Sequence, residues 1–418
     1  MNRIQFSHYY GLLLGLFFLG QFLVLPILTP LFIAMGVSIK EIGIIMAVMG
    51  VTVIILEMPT GGLADQIGRK KLFIISLALN AASLLILCLL PSVIGAIVSM
   101  IFWGAGISMS SGTITAWFVE TFNAKKDQID LQQGFAIIAF RTNLMGATGA
   151  LLCSLVVFLG ITFEFEEIDV YRIILLGGAL CYALVIAISI VWVQEEKRFD
   201  AVFKQSFTEL PKQIKTGVLA ICHPILWRIL MTGLLAIPLA SAIEKFWQVE
   251  FTHLTQADPL PWFFGLVFAI TLFLGSIAAK VTNHLCRLLK QQMGKVLFIG
   301  LVCQLVSVIA LTMSDSITYF ILFFIAFDFS LELGVSARNH LIANATQDKV
   351  RSTVDSIMSF ISRLGGVFGT LLCALGASYL GLTNTWLVGA AIAGFAGLIF
   401  LSQALNHTDD ASLIKLAD

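Results

Sequence analysis

Charge is scarce in this sequence. Asp, Glu, Lys and Arg together make up 12% of its 418 residues, while 58% are hydrophobic and the mean hydropathy is +0.96. No soluble domain covers that much apolar side chain with polar surface, so a soluble enzyme or binding module is excluded. The formal net charge is zero, so no bulk polyanion partner such as nucleic acid is suggested. Cysteine lacks pattern: Cys88, Cys153, Cys181, Cys222, Cys286, Cys303 and Cys373 stand singly, without CxxC or Cys/His spacing, and read as small packing residues. His8, His223, His253, His284, His340 and His407 are likewise scattered, so neither a metal site nor a cofactor is expected. Period-2 alternation is missing as well, which disfavours a transmembrane β-barrel. The first apolar run, Tyr9 to Ala34, is too long for a signal-peptide core and no small-x-small cleavage site follows it, so it reads as a retained helix.

What the sequence has is long apolar runs. A helix needs roughly 20 residues to cross a hydrocarbon core of about 30 Å. Reading the runs against their polar breaks gives twelve spans, from Tyr9–Ala34 to Thr383–Leu405, six on each side of the longest polar stretch. The fold class expected is all-α membrane protein, twelve transmembrane helices in two six-helix bundles. Residues 1–195 form the N-terminal bundle, 196–224 a cytoplasmic linker, 225–405 the C-terminal bundle and 406–418 a cytoplasmic tail. Within the linker, Phe199, Val202, Phe203, Phe207, Leu210 and Ile214 recur at helical spacing among Lys204, Lys212 and Lys215, as in an amphipathic helix lying on a membrane face.

Cations sort by side. Alternate loops on one side take Arg3, Arg69/Lys70/Lys71, Lys125/Lys126, five cations between spans six and seven, Arg287/Lys290/Lys295, Lys349/Arg351 and Lys415; the other side takes Lys40 and Arg172. The positive-inside rule then puts both termini in the cytoplasm. Weak internal symmetry appears at an offset of six spans. Arg141 precedes Gly146 and Gly149 in span five, and Arg363 precedes Gly365, Gly366 and Gly369 in span eleven, as in a duplicated transporter.

Between spans two and three stands GGLADQIGRKK, Gly61 to Lys71. Positive-inside anchoring accounts for its cations but asks nothing of Asp65 or the glycines. Glycines there permit close helix approach and a tight turn, and an Asp at a helix rim can accept from unpaired N–H groups at a neighbouring helix start. With twelve spans in a 6+6 arrangement, this stretch resembles the cytoplasmic signature G-x-L-A-D-x-x-G-R-K of the major facilitator superfamily of secondary transporters. Gly62, Leu63, Ala64, Asp65, Gly68, Arg69 and Lys70 match it. The resemblance implies a conformational latch of Gly62, Asp65, Gly68, Arg69 and Lys70, in which the Asp engages the start of helix eleven, here around Arg351 to Thr353. Glu120, at the inner end of span four, is an available partner for Arg69. The sequence departs from the superfamily's proton-coupled drug exporters. Their R-x-x-Q-G pattern is replaced by Met100, Trp103 and Gly104, and span five has no proline.

Ionisable groups at membrane depth are expensive and mark function by default. Asp328 and Glu332 stand i,i+4 in span ten with Asn339 on the same stripe, and Arg363 lies at a similar depth in span eleven. They form either a structural ion pair or a titrating coupling site. Arg141 has no obvious acid partner; it is a candidate ligand for a substrate carboxylate or phosphate, or is held by helix carbonyls or a distant acid such as Glu57. Glu244 and Gln248 share a face of span seven with Trp247 beside them, as a gate, part of a site, or an interfacial tryptophan. In the superfamily, helices one, four, seven and ten line the cavity. The resemblance therefore places Gln21, Ser108, Ser111, Glu244 and Asp328 around it, with Gln248 and Arg141 nearby.

The function expected is secondary-active transport of a small solute by alternating access, coupled to protons through Asp328, Glu332 and Arg363. The alternatives are a uniporter or exchanger for an organic anion, a membrane-embedded enzyme or a channel. No constellation for enzyme catalysis is found. The partners expected are a small-molecule substrate, protons and the lipid bilayer, with no nucleic acid, for a monomer in the bacterial inner membrane.

Overall fold

The structure is a computed structural model, and it describes residues 1–110, 113–125, 129–195, 224–255, 260–290, 292–345 and 351–401. The expected linker helix and C-terminal tail lie outside these residues. Thirteen α-helices are described: α1 Arg3–Ala34, α2 Ile39–Ile67, α3 Arg69–Leu89, α4 Val93–Ser110, α5 Thr113–Ala124, α6 Leu131–Thr162, α7 Glu167–Trp192, α8 Pro224–Leu254, α9 Phe263–Leu288, α10 Met293–Thr312, α11 Ile317–Ala345, α12 Arg351–Leu380 and α13 Leu382–Ala396, followed by a π-helical turn Gly397–Leu401. No strand occurs among the described residues. Twelve segments are long and apolar enough to cross a membrane, with α4 and α5 together forming the fourth. The chain is a multi-pass membrane protein.

The first helix begins well before its apolar run. Asn2 accepts from the Gln5 N–H at 2.8 Å while the Gln5 side chain accepts from the Asn2 N–H at 3.3 Å, a reciprocal cap that starts α1 two turns before Tyr9. Asp130 caps α6 through the Gln133 N–H at 2.7 Å.

The chain forms two compact units, Met1–Phe203 with Ala257–Phe273, and Lys204–Gln256 with Leu274–Asp418. In the first, α1 packs along α6 and α7. Small residues set that crossing: a Cβ on Gly149 would run into the Leu19 carbonyl oxygen, and one on Gly20 would lie 3.3 Å from the Gly178 carbonyl. The start of α9 belongs to this unit, where Ser154 Oγ donates to the Trp262 carbonyl at 2.6 Å. In the second unit α8 packs on α12 and α13, and a Cβ on Gly369 would run into the Pro238 carbonyl oxygen. The span-one/span-five crossing and the span-seven/span-eleven crossing thus use the same device, a glycine against a backbone carbonyl, six spans apart.

Several hydroxyls within the spans are satisfied by backbone carbonyls of neighbouring helices. Ser99 Oγ donates to the Ser83 carbonyl at 2.9 Å, joining α3 to α4. Thr282 Oγ1 lies 2.8 Å from the Leu333 carbonyl, joining α9 to α11.

Candidate functional sites

One end of the first unit is held by charge. Gly68, at φ +94°, is the single residue between α2 and α3, a backbone conformation that a residue with a Cβ adopts only under strain. The helix start it creates leaves unpaired N–H groups. Glu195, just beyond α7, fills that vacancy: its Oε1 accepts from the Arg69 N–H at 2.7 Å and its Oε2 from the Lys70 N–H at 3.0 Å. The Lys70 side chain returns to the Ile190 carbonyl near the end of α7 at 2.7 Å. Arg69 Nη1 pairs with Glu120 Oε2 at 2.8 Å, and Trp117 Nε1 donates to the Gln194 carbonyl at 3.0 Å. Arg3 joins the same end by donating to the Phe122 and Ile129 carbonyls at 3.2 and 3.0 Å.

The carboxylate seen at a helix start is therefore Glu195 on α3, a residue the motif does not contain. Its signal in the sequence was an acid immediately after the sixth apolar run, at the cation-rich side. The side chain of Asp65 and residue Ser111 lie outside what is described, as do the side chains at the start of α12.

Arg141, half-buried on α6, donates from Nε to His8 Nδ1 on α1 at 2.8 Å. That bond needs a neutral imidazole with its lone pair on Nδ1. Gly11 clears the way, since a Cβ there would sit 3.1 Å from Arg141 Cδ. The pair borders a cavity of about 480 Å³ whose other walls, including Leu12, Phe140, Leu144 and Met145, are apolar. Gln21 is half-buried on α1. Ser108 is buried on α4 and donates its hydroxyl to the Ala105 carbonyl at 2.9 Å.

In the second unit the structure gathers acids from two helices. Glu244 on α8 and Glu332 on α11 both act electrostatically on Asp328 of α11. Glu244 and Glu332 are exposed and Asp328 is half-buried. Glu332 also interacts with Arg338, six residues further along α11, a cation the sequence reading passed over. Arg363 is half-buried on α12. Gln248 does not share Glu244's surroundings: it is 2% exposed, because this part of α8 is covered by aromatic packing. Trp247 is fully buried and stacks on Phe324 of α11 with ring centroids 4.3 Å apart, so it is an interior residue and no interfacial anchor. No group of three or more His, Cys, Asp or Glu suited to a metal ion occurs among the described residues.

Comparison with known proteins fits this architecture. The nucleoside transporter NupG superposes with a TM-score of 0.73 at 13% identity, over 97% of this chain and 100% of that one. A bacterial homologue of the human lysosomal transporter Spinster gives 0.73 at 12% identity, over 98% of each chain. A POT family transporter in complex with 5-aminolevulinic acid gives 0.70 at 15%, over 95% of this chain and 96% of that one. At such identities the likeness is one of fold. Over 97 residues the chain is 39% identical to the inner membrane transport protein YajR of Escherichia coli K12, a match that spans 23% of this chain and 21% of that protein. Residues 10–292 match the Major Facilitator Superfamily, and the chain, a membrane transporter, belongs to that superfamily.

Proposed function

We propose that the chain is a secondary-active transporter that moves a small solute by alternating access and couples that movement to protons through Glu244, Asp328 and Glu332. The observation that carries this reading is the meeting of three carboxylates from α8 and α11 at membrane depth. Three acids within electrostatic reach repel when all are ionised, and a proton taken up by the cluster relieves the repulsion. A conformational exchange that opens the cluster to each side in turn carries that proton across. Asp328 and Glu332 stand one helical turn apart, about 6 Å along the axis, so either can receive it. Arg363 is the cation assigned to this coupling group.

The same reading takes residues 1–195 and 225–405 as two six-helix bundles joined by 196–224, in a monomer. Its cation-rich face is cytoplasmic, with both termini on the cytoplasmic side of a bacterial inner membrane. Gly62, Asp65, Gly68, Arg69, Lys70 and Glu120 form the latch of the transport cycle. Exchange of an organic anion through Arg141 is the second reading. It is favoured by the cavity beside the Arg141–His8 pair, where the guanidinium keeps donors to spare after its one bond to the imidazole.

The test uses proteoliposomes and a solute found by thermal-shift screening of purified protein against metabolite pools. An imposed pH gradient drives accumulation or extrusion in the wild type, and Asp328→Asn abolishes the driven component while passive exchange persists. Coupling that survives in both Asp328→Asn and Glu332→Gln would refute the carboxylate assignment.

A further inference from the structure

Between α8, α10 and α11, wholly within the second unit, lies a cavity of about 130 Å³. Three glycines line it, Gly233, Gly300 and Gly334. Helix packing does not demand the first two. A Cβ on Gly233 would meet nothing nearer than Ile237 Cδ1 at 3.7 Å, and one on Gly300 nothing nearer than the Ser330 carbonyl at 3.6 Å, both ordinary contacts. A glycine inside a helix costs about 1 kcal/mol relative to alanine, so residues kept small where alanine fits leave room for something else.

The second observation is chemical. Gln304 of α10 is 6% exposed, lines this cavity, and its Nε2 has no hydrogen-bond partner. A buried amide donor left unmade is costly. Arg338 of α11 lines the same cavity, and its guanidinium carries donors only. Gly300 lies level with Gly334, so Gln304 and Arg338 stand one turn above and one turn below that level on antiparallel helices, about 12 Å apart along the axes. Side chains lean toward the N-terminus of their own helix. On antiparallel neighbours these two lean toward each other across the cavity. The walls between are aliphatic: Ile229, Ile237, Leu297, Leu301 and Leu331.

We infer that this cavity is a binding site for a small organic carboxylate with an apolar tail, its carboxylate taken by the Gln304 amide and the Arg338 guanidinium. Glu332 already acts on Arg338, so the ligand and Glu332 compete for one guanidinium. The site deepens the transporter reading by naming a ligand class, but its test needs neither membrane nor gradient, so failure of proton coupling and failure of this site are separate results.

The experiment titrates the purified full chain in detergent with acetate, butanoate and hexanoate, followed by thermal unfolding and calorimetry, against equal chloride and against hexan-1-ol. Saturable stabilisation by hexanoate that exceeds both controls is expected. Gln304→Leu weakens it about tenfold or more, as loss of one hydrogen bond to a charged group implies. Gly300→Val, which fills the cavity and leaves both donors in place, weakens it similarly, and Glu332→Gln tightens it. The inference is overturned by no stabilisation beyond chloride, by equal stabilisation with hexan-1-ol, or by hexanoate binding that both Gln304→Leu and Gly300→Val leave unchanged.

Discussion

Removing the carboxylate of Glu195 isolates what holds the start of α3. In Glu195→Ala, the Arg69 and Lys70 N–H groups lose acceptors at 2.7 and 3.0 Å. Each bond is charge-assisted and sits at the positive end of a helix. Because Glu195 is half-buried, water reaches the freed donors and recovers part of the loss. Loss of a helix cap costs about 0.5–2 kcal/mol, and two bonds to a carboxylate belong in the upper half of that range. The local opening equilibrium of the helix start then rises about 5- to 30-fold. Hydrogen–deuterium exchange of a peptide containing Gly68 to Phe73 reads this directly: Arg69 and Lys70 amides exchange faster by that factor, while the core of α3 is unaltered. Glu195→Gln keeps one acceptor and loses the charge, so it falls between. Salt near 1 M, where the Debye length is about 3 Å, lowers wild-type protection toward the Gln variant. Unchanged exchange at Arg69 and Lys70 in Glu195→Ala would refute the reasoning.

Gly68→Ala is strained twice, by its positive φ and by a Cβ placed 2.7 Å from Glu195 Oε2, so it should lower the thermal midpoint more than Glu195→Ala does, by about 1–3 kcal/mol of stability. A double-mutant cycle on Arg69→Gln and Glu120→Gln should give a coupling below about 1 kcal/mol, because the Glu120 side chain is 62% exposed; a larger value would mean the pair is shielded from solvent. Gly149→Leu and Gly369→Leu each force a side chain into a backbone carbonyl and should both reduce the yield of folded protein in size-exclusion chromatography, whereas Gly300→Ala should not.

The spans were legible because hydrocarbon thickness imposes a length that apolar runs report. The helix start at Arg3 was not, since its first turn is polar and is built by a cap that hydropathy ignores. A tight turn was readable from Gly68, though not its single-residue length, since the apolar runs stop at Leu63 and resume at Leu72; the Arg69–Glu120 contact was readable from two opposite charges on the same side, at the start of span three and the end of span four. Glu195 escaped because nothing in the spacing says which helix start an acid after span six will meet. The Asp328/Glu332 stripe followed from helical periodicity alone, but its third acid, Glu244, depends on how α8 faces α11. His8 read as one of six scattered histidines; the extended start of α1 sets it against Arg141. Gln304 and Arg338 drew no notice, as one is a lone amide in an apolar run and the other lies near a helix end.

A connection of one residue has almost no compliance. Two helices joined by a long loop can tilt separately, with the loop taking up the difference. At Gly68, α2 and α3 have no such slack, and Glu195 and the Lys70 side chain bind the tail of α7 to the same point. Three helix ends therefore share one joint. A torque applied to any of them is passed to the other two.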